Sequence, residues 1–200
     1  PFGLADNGQL AYAFNGDVWV RDSLTAPGRV LIATPGKDVW PYFSPDGTRL
    51  LLTIEQADGK AYDYVATADG TGLHKILPDP IVGSGFWAWA QDSRTIAIVN
   101  EVGGFPVLHI ASVDDPAVRT VDLGGISVRE ISWRPGVPDT ILLLGTTPDA
   151  SNDLVATRQH IRNVHPQVGK RREVHVEEGL DALFRRRKAG QLLVIDEVIG

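Results

Sequence analysis

Short apolar and aromatic runs, each of strand length and separated by turns rich in Pro, Asp and Gly, fill the first three quarters of the chain. The clearest unit is Trp40-Pro41-Tyr42-Phe43-Ser44-Pro45-Asp46-Gly47-Thr48-Arg49-Leu50-Leu51-Leu52-Thr53. It reads as an aromatic strand, a Pro-Asp-Gly turn and an apolar strand. Pro presets φ and Gly tolerates positive φ, so the turn predicts a hairpin by a physical mechanism.

The same pattern returns. In Phe86-Trp87-Ala88-Trp89-Ala90-Gln91-Asp92-Ser93-Arg94-Thr95-Ile96-Ala97-Ile98-Val99, Trp89 takes the place of Phe43 and Asp92 that of Asp46. It recurs with a lengthened turn at Ile131-Ser132-Trp133-Arg134-Pro135-Gly136-Val137-Pro138-Asp139-Thr140-Ile141-Leu142-Leu143. A degenerate copy, Ala5 to Tyr12, stands one period before the first. Between the turns lie further strands at Asp17–Val20, Tyr62–Val65, Pro106–Ile110 and Asp153–Ala156. The second and third are followed by a polar turn and another short strand, Leu73–Leu77 and Val118–Leu123. Four strands per unit at a spacing of roughly 40 to 45 residues predict β-propeller blades.

These residues resemble the WD-repeat-like propeller repeats of TolB-type proteins. Phe43 to Leu50, Tyr62 to Val65 and Ala68-Asp69-Gly70-Thr71-Gly72 carry the resemblance, which extends from about Ala5 to Ala156. The resemblance implies an all-β propeller of four-stranded antiparallel blades, about 3.5 to 4 of them in residues 1–157. It also implies a bacterial periplasmic or secreted protein that serves as a protein-docking platform or as the accessory domain of a larger enzyme. So few blades do not close comfortably, which leaves a strand edge for self-association unless it is capped or the parent protein is longer.

Residues 158–200 read differently, as a small α/β extension. Nine of the nineteen Lys and Arg residues fall there, and no tryptophan does. Arg172–Val176 predicts a strand, Glu177–Lys188 a helix with Leu180, Leu183 and Phe184 on one face, and Leu192–Ile199 a second strand. The run Arg185-Arg186-Arg187-Lys188 complements the negative end of that helix dipole rather than marking an anion site.

Composition narrows the function. A net charge of −6 excludes a general nucleic-acid surface. No apolar run reaches the length of a membrane span. Cysteine is absent, which removes disulfides, thiolate zinc sites and a cysteine nucleophile. Methionine is absent as well, and the opening Pro1-Phe2-Gly3 reads as a fragment or a processed chain.

Catalytic signatures are missing. Gly83-Ser84-Gly85 and Gly124-Gly125-Ile126-Ser127 lack the Gly-x-Ser-x-Gly spacing of a nucleophile elbow, and neither phosphate-binding glycine pattern occurs. His74, His109, His160, His165 and His175 lack the spacing of a metal site. Asp46, Asp69, Asp92 and Asp139 recur at turn positions, where Asp binds its own downstream backbone N–H. Trp40, Trp87, Trp89 and Trp133 are expected between blades.

The expectation is therefore a non-enzymatic scaffold for a protein or peptide, with no catalytic, cofactor or metal site. The alternative is the accessory propeller of a prolyl-oligopeptidase-like serine peptidase. Binding is expected on the inter-blade connections: Gly83, Ser84, Gly85 and Phe86; Gly103, Gly104 and Phe105; and Gly124, Gly125 and Ser127.

Overall fold

The computed structural model describes residues 7–83, 85–123, 125–134, 136, 140–146 and the backbone of 154–160. They form four antiparallel sheets and, among the described residues, no helix. The first sheet holds β1 (Leu10–Phe14), β2 (Asp17–Arg21) and β3 (Arg29–Ile32). The second holds β4 (Lys37–Phe43), β5 (Arg49–Glu55), β6 (Ala61–Thr67) and β7 (His74–Lys75). The third holds β8 (Phe86–Trp89), β9 (Thr95–Val102), β10 (Phe105–Ser112) and β11 (Asp115–Asp122). The fourth holds β12 (Ser127–Trp133), β13 (Thr140–Thr146) and β14 (Leu154–His160). Within each sheet the strands are neighbours in chain order, the meander expected of a blade.

The expected elements shift in three places. The strand expected at Leu73–Leu77 shrinks to His74–Lys75: beyond it the Ile76 N–H makes a last bond to the Asp63 carbonyl at 3.0 Å, and the side chains of Ile76 and Leu77 are buried between the second and third blades. Pro78 and Pro80 follow at once and have no N–H to pair. The strand expected at Val118–Leu123 begins earlier, at Asp115, and tolerates Pro116 because β11 is a sheet edge. The strand expected at Asp153–Ala156 runs from Leu154 to His160. The expected elements at Arg172–Val176, Glu177–Lys188 and Leu192–Ile199 lie outside the described residues, as does the turn at Asp139.

The core lies between the blades. Alternate side chains of β5 point to opposite neighbours. Leu50, Leu52 and Ile54 meet Val18 and Ile32 of the first blade. Leu51, with Val65, meets Ile96, Ile98 and Ala111 of the third. One step on, Ala97, Val99 and Leu108 meet Ile131, Ile141 and Leu143 of the fourth. A strand buried on both faces needs a continuous apolar run, which is why Leu50-Leu51-Leu52 and Ile96-Ala97-Ile98-Val99 do not alternate with polar residues. Each such Leu or Ile contributes about 1.5–3 kcal/mol of transfer free energy.

Polar ties recur at the blade joints. The Trp89 indole N–H on β8 donates to the Tyr42 carbonyl on β4 at 3.3 Å. The Trp133 indole N–H on β12 donates to the Ala88 carbonyl on β8 at 3.0 Å. The two bonds occupy equivalent positions, so the first strands of the second, third and fourth blades stand side by side. Asp114 joins the second and third blades by accepting from Arg49 at 2.8 Å and facing Arg94 at 3.2 Å.

Candidate functional site

The turn aspartates act as the sequence suggested. Asp46 accepts from the Thr48 N–H, Asp69 from the Thr71 N–H, and Asp92 from the Arg94 and Thr95 N–H groups. At Asp46, slight burial opposes ionisation, but bonds from the Ser44 hydroxyl and from the N–H and hydroxyl of Thr48 outweigh it and hold the pKa at about 2. Asp69 is likewise held at about 2, by the Thr67 hydroxyl and the N–H and hydroxyl of Thr71. Carboxylates committed to their own turns are spent on structure. His74 is exposed, its Nδ1 2.8 Å from the Gly72 carbonyl, and His109 lies 3.3 Å from the Thr120 hydroxyl. Among the described residues no group of three or more His, Cys, Asp and Glu side chains converges as a metal site would.

Several of the residues singled out in the sequence come together at one end of the third blade. Gly103 and Gly104 form the two-residue turn between β9 and β10, with φ of 62° and 84°. Two consecutive positive φ values build the tight hairpin turn that matches strand twist, and glycine adopts them without a Cβ penalty. Across this turn Val102 pairs with Phe105, and they are 53% and 63% exposed. The connection from β7 to β8 packs alongside. The Val82 N–H donates to the Asn100 side-chain oxygen at 2.7 Å, and the Asn100 amide donates to the Pro80 carbonyl at 3.0 Å. A Cβ on Gly83 would stand 2.4 Å from a Glu101 carboxylate oxygen. Val82 is itself exposed. The result is an exposed apolar pair, Val102 and Phe105, at the tip of the hairpin, with exposed Val82 on the connection bonded to Asn100.

Phe86 does not join that surface. It is half-buried against the core between the third and fourth blades. Gly125, with positive φ, and exposed Ser127 flank buried Ile126 at the entry to β12, and β12 packs on β8. Ser84 and Gly124 lie outside the described residues.

A second surface was not anticipated. Trp40, expected between blades, is instead 60% exposed. The β4–β5 register breaks between Val39 and Tyr42, and Trp40 takes a φ of 49°, which turns its side chain out of the ladder. Positive φ at a bulky residue costs about 1–3 kcal/mol. Beside it, Tyr42 meets Trp87 edge to face, with ring centroids 4.4 Å apart. The signal in the sequence was Pro41, which cannot donate to the ladder and so invites the break.

One buried acid stands apart. Asp63 on β6 accepts from the Thr53 hydroxyl at 2.7 Å, while its other carboxylate oxygen is buried with no hydrogen-bond partner among the described residues. Burial raises its pKa to about 6, against a smaller lowering by Thr53. A lone acid with a single hydroxyl partner is not an acid–base pair.

No family model matches the sequence. The fold, however, is shared with solved structures. TolB from Acinetobacter baumannii superposes with a TM-score of 0.58 at 18% identity, over 78% of this chain and 39% of that one. A putative TolB from Agrobacterium tumefaciens also gives 0.58, at 12% identity, over 78% and 56%. The described residues are β-propeller blades, similar in fold to those of the two TolB structures. The β-propeller domain of the Trilobed protease from Pyrococcus furiosus, with an open velcro topology, gives 0.51 at 18% identity, over 75% and 48%. The chain thus spans less than two thirds of the length of each of these structures. No helix among its described residues is long and apolar enough to cross a membrane.

Proposed function

We propose that the chain is a non-enzymatic docking scaffold for a protein or peptide, and that the tip of the third blade is its contact surface. The observation that carries this reading is the cross-strand pair Val102 and Phe105, more than half exposed on a turn of two positive-φ glycines and flanked by exposed Val82. Large apolar side chains at a loop tip contribute nothing to the core. Held by a paired, two-residue hairpin, they have less freedom to lose when a partner covers them than side chains on an open loop. Nidogen in complex with laminin, another propeller of similar fold, is a structure of a protein–protein complex and supports the same class of role.

The test is retention of a partner from native extract by the wild-type chain and by Phe105→Ser, with Trp40→Ser as the second surface. Selective loss of a retained protein in Phe105→Ser supports the tip. Loss only in Trp40→Ser moves the contact to the exposed Trp40 of the second blade, and equal retention by all three ends the reading.

The likeness to the propeller domain of a protease favours a second reading, an accessory propeller of a prolyl-oligopeptidase-like serine peptidase. A hydrolase domain carrying Gly-x-Ser-x-Gly on the same polypeptide would carry it.

A further inference from the structure

The chain contains two Asn-Gly pairs, Asn7-Gly8 and Asn15-Gly16, and the fold holds them differently. Asparagine is a thermolabile residue, and a following glycine has no side chain to keep the amide carbon away from the next backbone nitrogen. Both asparagines are exposed. At Asn7 the amide is committed at both ends. Its Nδ2 donates to the Gly47 carbonyl of the second blade at 2.8 Å, and its Oδ1 accepts from the Gln9 N–H at 2.9 Å.

Asn15 and Gly16 form the two-residue turn between β1 and β2, closed by the Phe14–Asp17 pair, with φ of 55° and 88°. Consecutive positive φ values make this the hairpin turn that Asn-Gly suits. Neither the Asn15 amide nor the Gly16 N–H makes a hydrogen bond among the described residues. A Cβ added to Gly16 would meet nothing within 4 Å, so the flank of the turn is open. The turn also serves the joint with the next blade. The Gly16 carbonyl accepts from the backbone N–H of buried Asp38 on β4 at 2.8 Å.

We propose that Asn15 is a self-modification site, which deamidates through Gly16 to isoaspartate and thereby loosens the joint between the first and second blades. The Gly16 nitrogen gives its proton to solvent hydroxide and attacks the Asn15 Cγ. An N–Cγ bond forms, the Cγ–Nδ2 bond breaks, and the leaving nitrogen takes a proton and departs as ammonia. Water then opens the resulting succinimide. Cleavage at Cγ leaves an aspartate at position 15, whereas cleavage at the original backbone carbonyl leaves the chain running through Cβ and Cγ. Ring closure requires a rotation of the Asn15 backbone, which the turn permits when the end of its ladder opens, among the least costly local openings of a fold. The isoaspartate adds one methylene to a turn of only two residues. The Phe14–Asp17 closure and the Gly16 carbonyl both shift, the Asp38 N–H loses its acceptor inside the joint, and a new carboxylate stands beside Asp17. None of this involves the third-blade tip, so failure of either proposal leaves the other standing.

The test ages the 200-residue chain at mildly alkaline pH, folded and in parallel in concentrated urea. Peptide mass spectrometry follows the mass gain at each Asn-Gly pair, and electron-transfer fragmentation tells isoaspartate from aspartate. In urea the two pairs are expected to react at similar rates. In the folded chain Asn15 is expected to react several-fold faster than Asn7, and the aged protein to melt at a lower temperature than the fresh one. Asn15→Gly, which keeps the positive-φ turn without an amide, is expected to hold its melting temperature through the same treatment. An Asn15 that stays intact in the folded chain, or reacts no faster there than Asn7, overturns the inference. An equal fall in melting temperature for Asn15→Gly overturns the link to the blade joint.

Discussion

The backbone N–H of Asp46 donates to the Ser93 hydroxyl at 2.9 Å, joining two turns 47 residues apart in the chain. Ser93 is buried and holds a φ of 57° at the turn position that Gly47, with φ of 70°, fills one blade earlier. Gly47 in turn offers its carbonyl to the Asn7 amide at 2.8 Å. Each turn therefore leans on the next, and the repeat is stitched along this side as well as through its apolar joints.

Ser93→Ala removes the acceptor and keeps the unfavourable φ. It is expected to cost about 1–2 kcal/mol, because the Asp46 N–H is left without its partner. Ser93→Gly loses the same bond but relieves the backbone and recovers part of that loss. Urea denaturation of the two variants should show this order; equal destabilisation would mean that the φ is unstrained.

Gly47→Ala and Gly104→Ala separate backbone strain from crowding. At Gly104, with φ of 84°, an added Cβ meets nothing within 4 Å. The change is expected to cost only the left-handed backbone term, about 1–2 kcal/mol. At Gly47 the Cβ would stand 2.7 Å from the backbone nitrogen and side chain of Asn7, so the loss is larger. Thermal melts of the two variants compare the costs directly, and equal losses would show that the first turn moves aside freely.

The Trp133 indole bond is tested by Trp133→Phe, which keeps most of the packing and leaves the Ala88 carbonyl without this donor. A loss of about 0.5–1.5 kcal/mol from the bond, plus that of the missing ring area, is expected in denaturant titration. The equivalent position of the second blade is Phe43, which has no N–H to give. Phe43→Leu should therefore show the packing loss alone.

Asp63 makes stability depend on pH in an unusual direction. Its folded pKa, about 6, lies above the ordinary 3.8. Below about 3.8 the group is protonated in both states and its contribution is fully favourable. As pH rises toward 6 the unfolded chain ionises first and that contribution is lost, by about 3 kcal/mol in all at 1.36 kcal/mol per pKa unit. Asp46 and Asp69, held near 2, act in the opposite sense and at lower pH, their contribution disappearing as pH falls from 3.8 toward 2. Asp63→Asn should stabilise the protein at pH 7.5 and lose this advantage at pH 4 (both approximate). Urea titrations of wild type and variant at the two pH values check it, and a difference that does not change with pH refutes it.

Much of this was legible in the chain because its determinants are local. Ser44-Pro45-Asp46-Gly47 and Gln91-Asp92-Ser93-Arg94 specify turns through residues that bond to their own backbone, and the apolar runs after them specify strands buried on both faces. The candidate surface was legible only in part. Gly103-Gly104 announces its turn, but nothing in the sequence distinguishes exposed Phe105 from half-buried Phe86.

The sequence by itself determined the repeat, the turns, the sheet order within a blade and the absence of cysteine chemistry, since each depends on residues within one unit. Tertiary structure alone decided which tryptophans are half-buried and which is exposed, which acid loses its water, and which turns touch. Those outcomes depend on the neighbouring blade or on a register break within the sheet. Trp89 and Trp133 find a carbonyl across the joint, Trp40 is turned outward by a register break, and Asp63 is raised because burial between β6 and the next blade removes the solvent that would hold its charge.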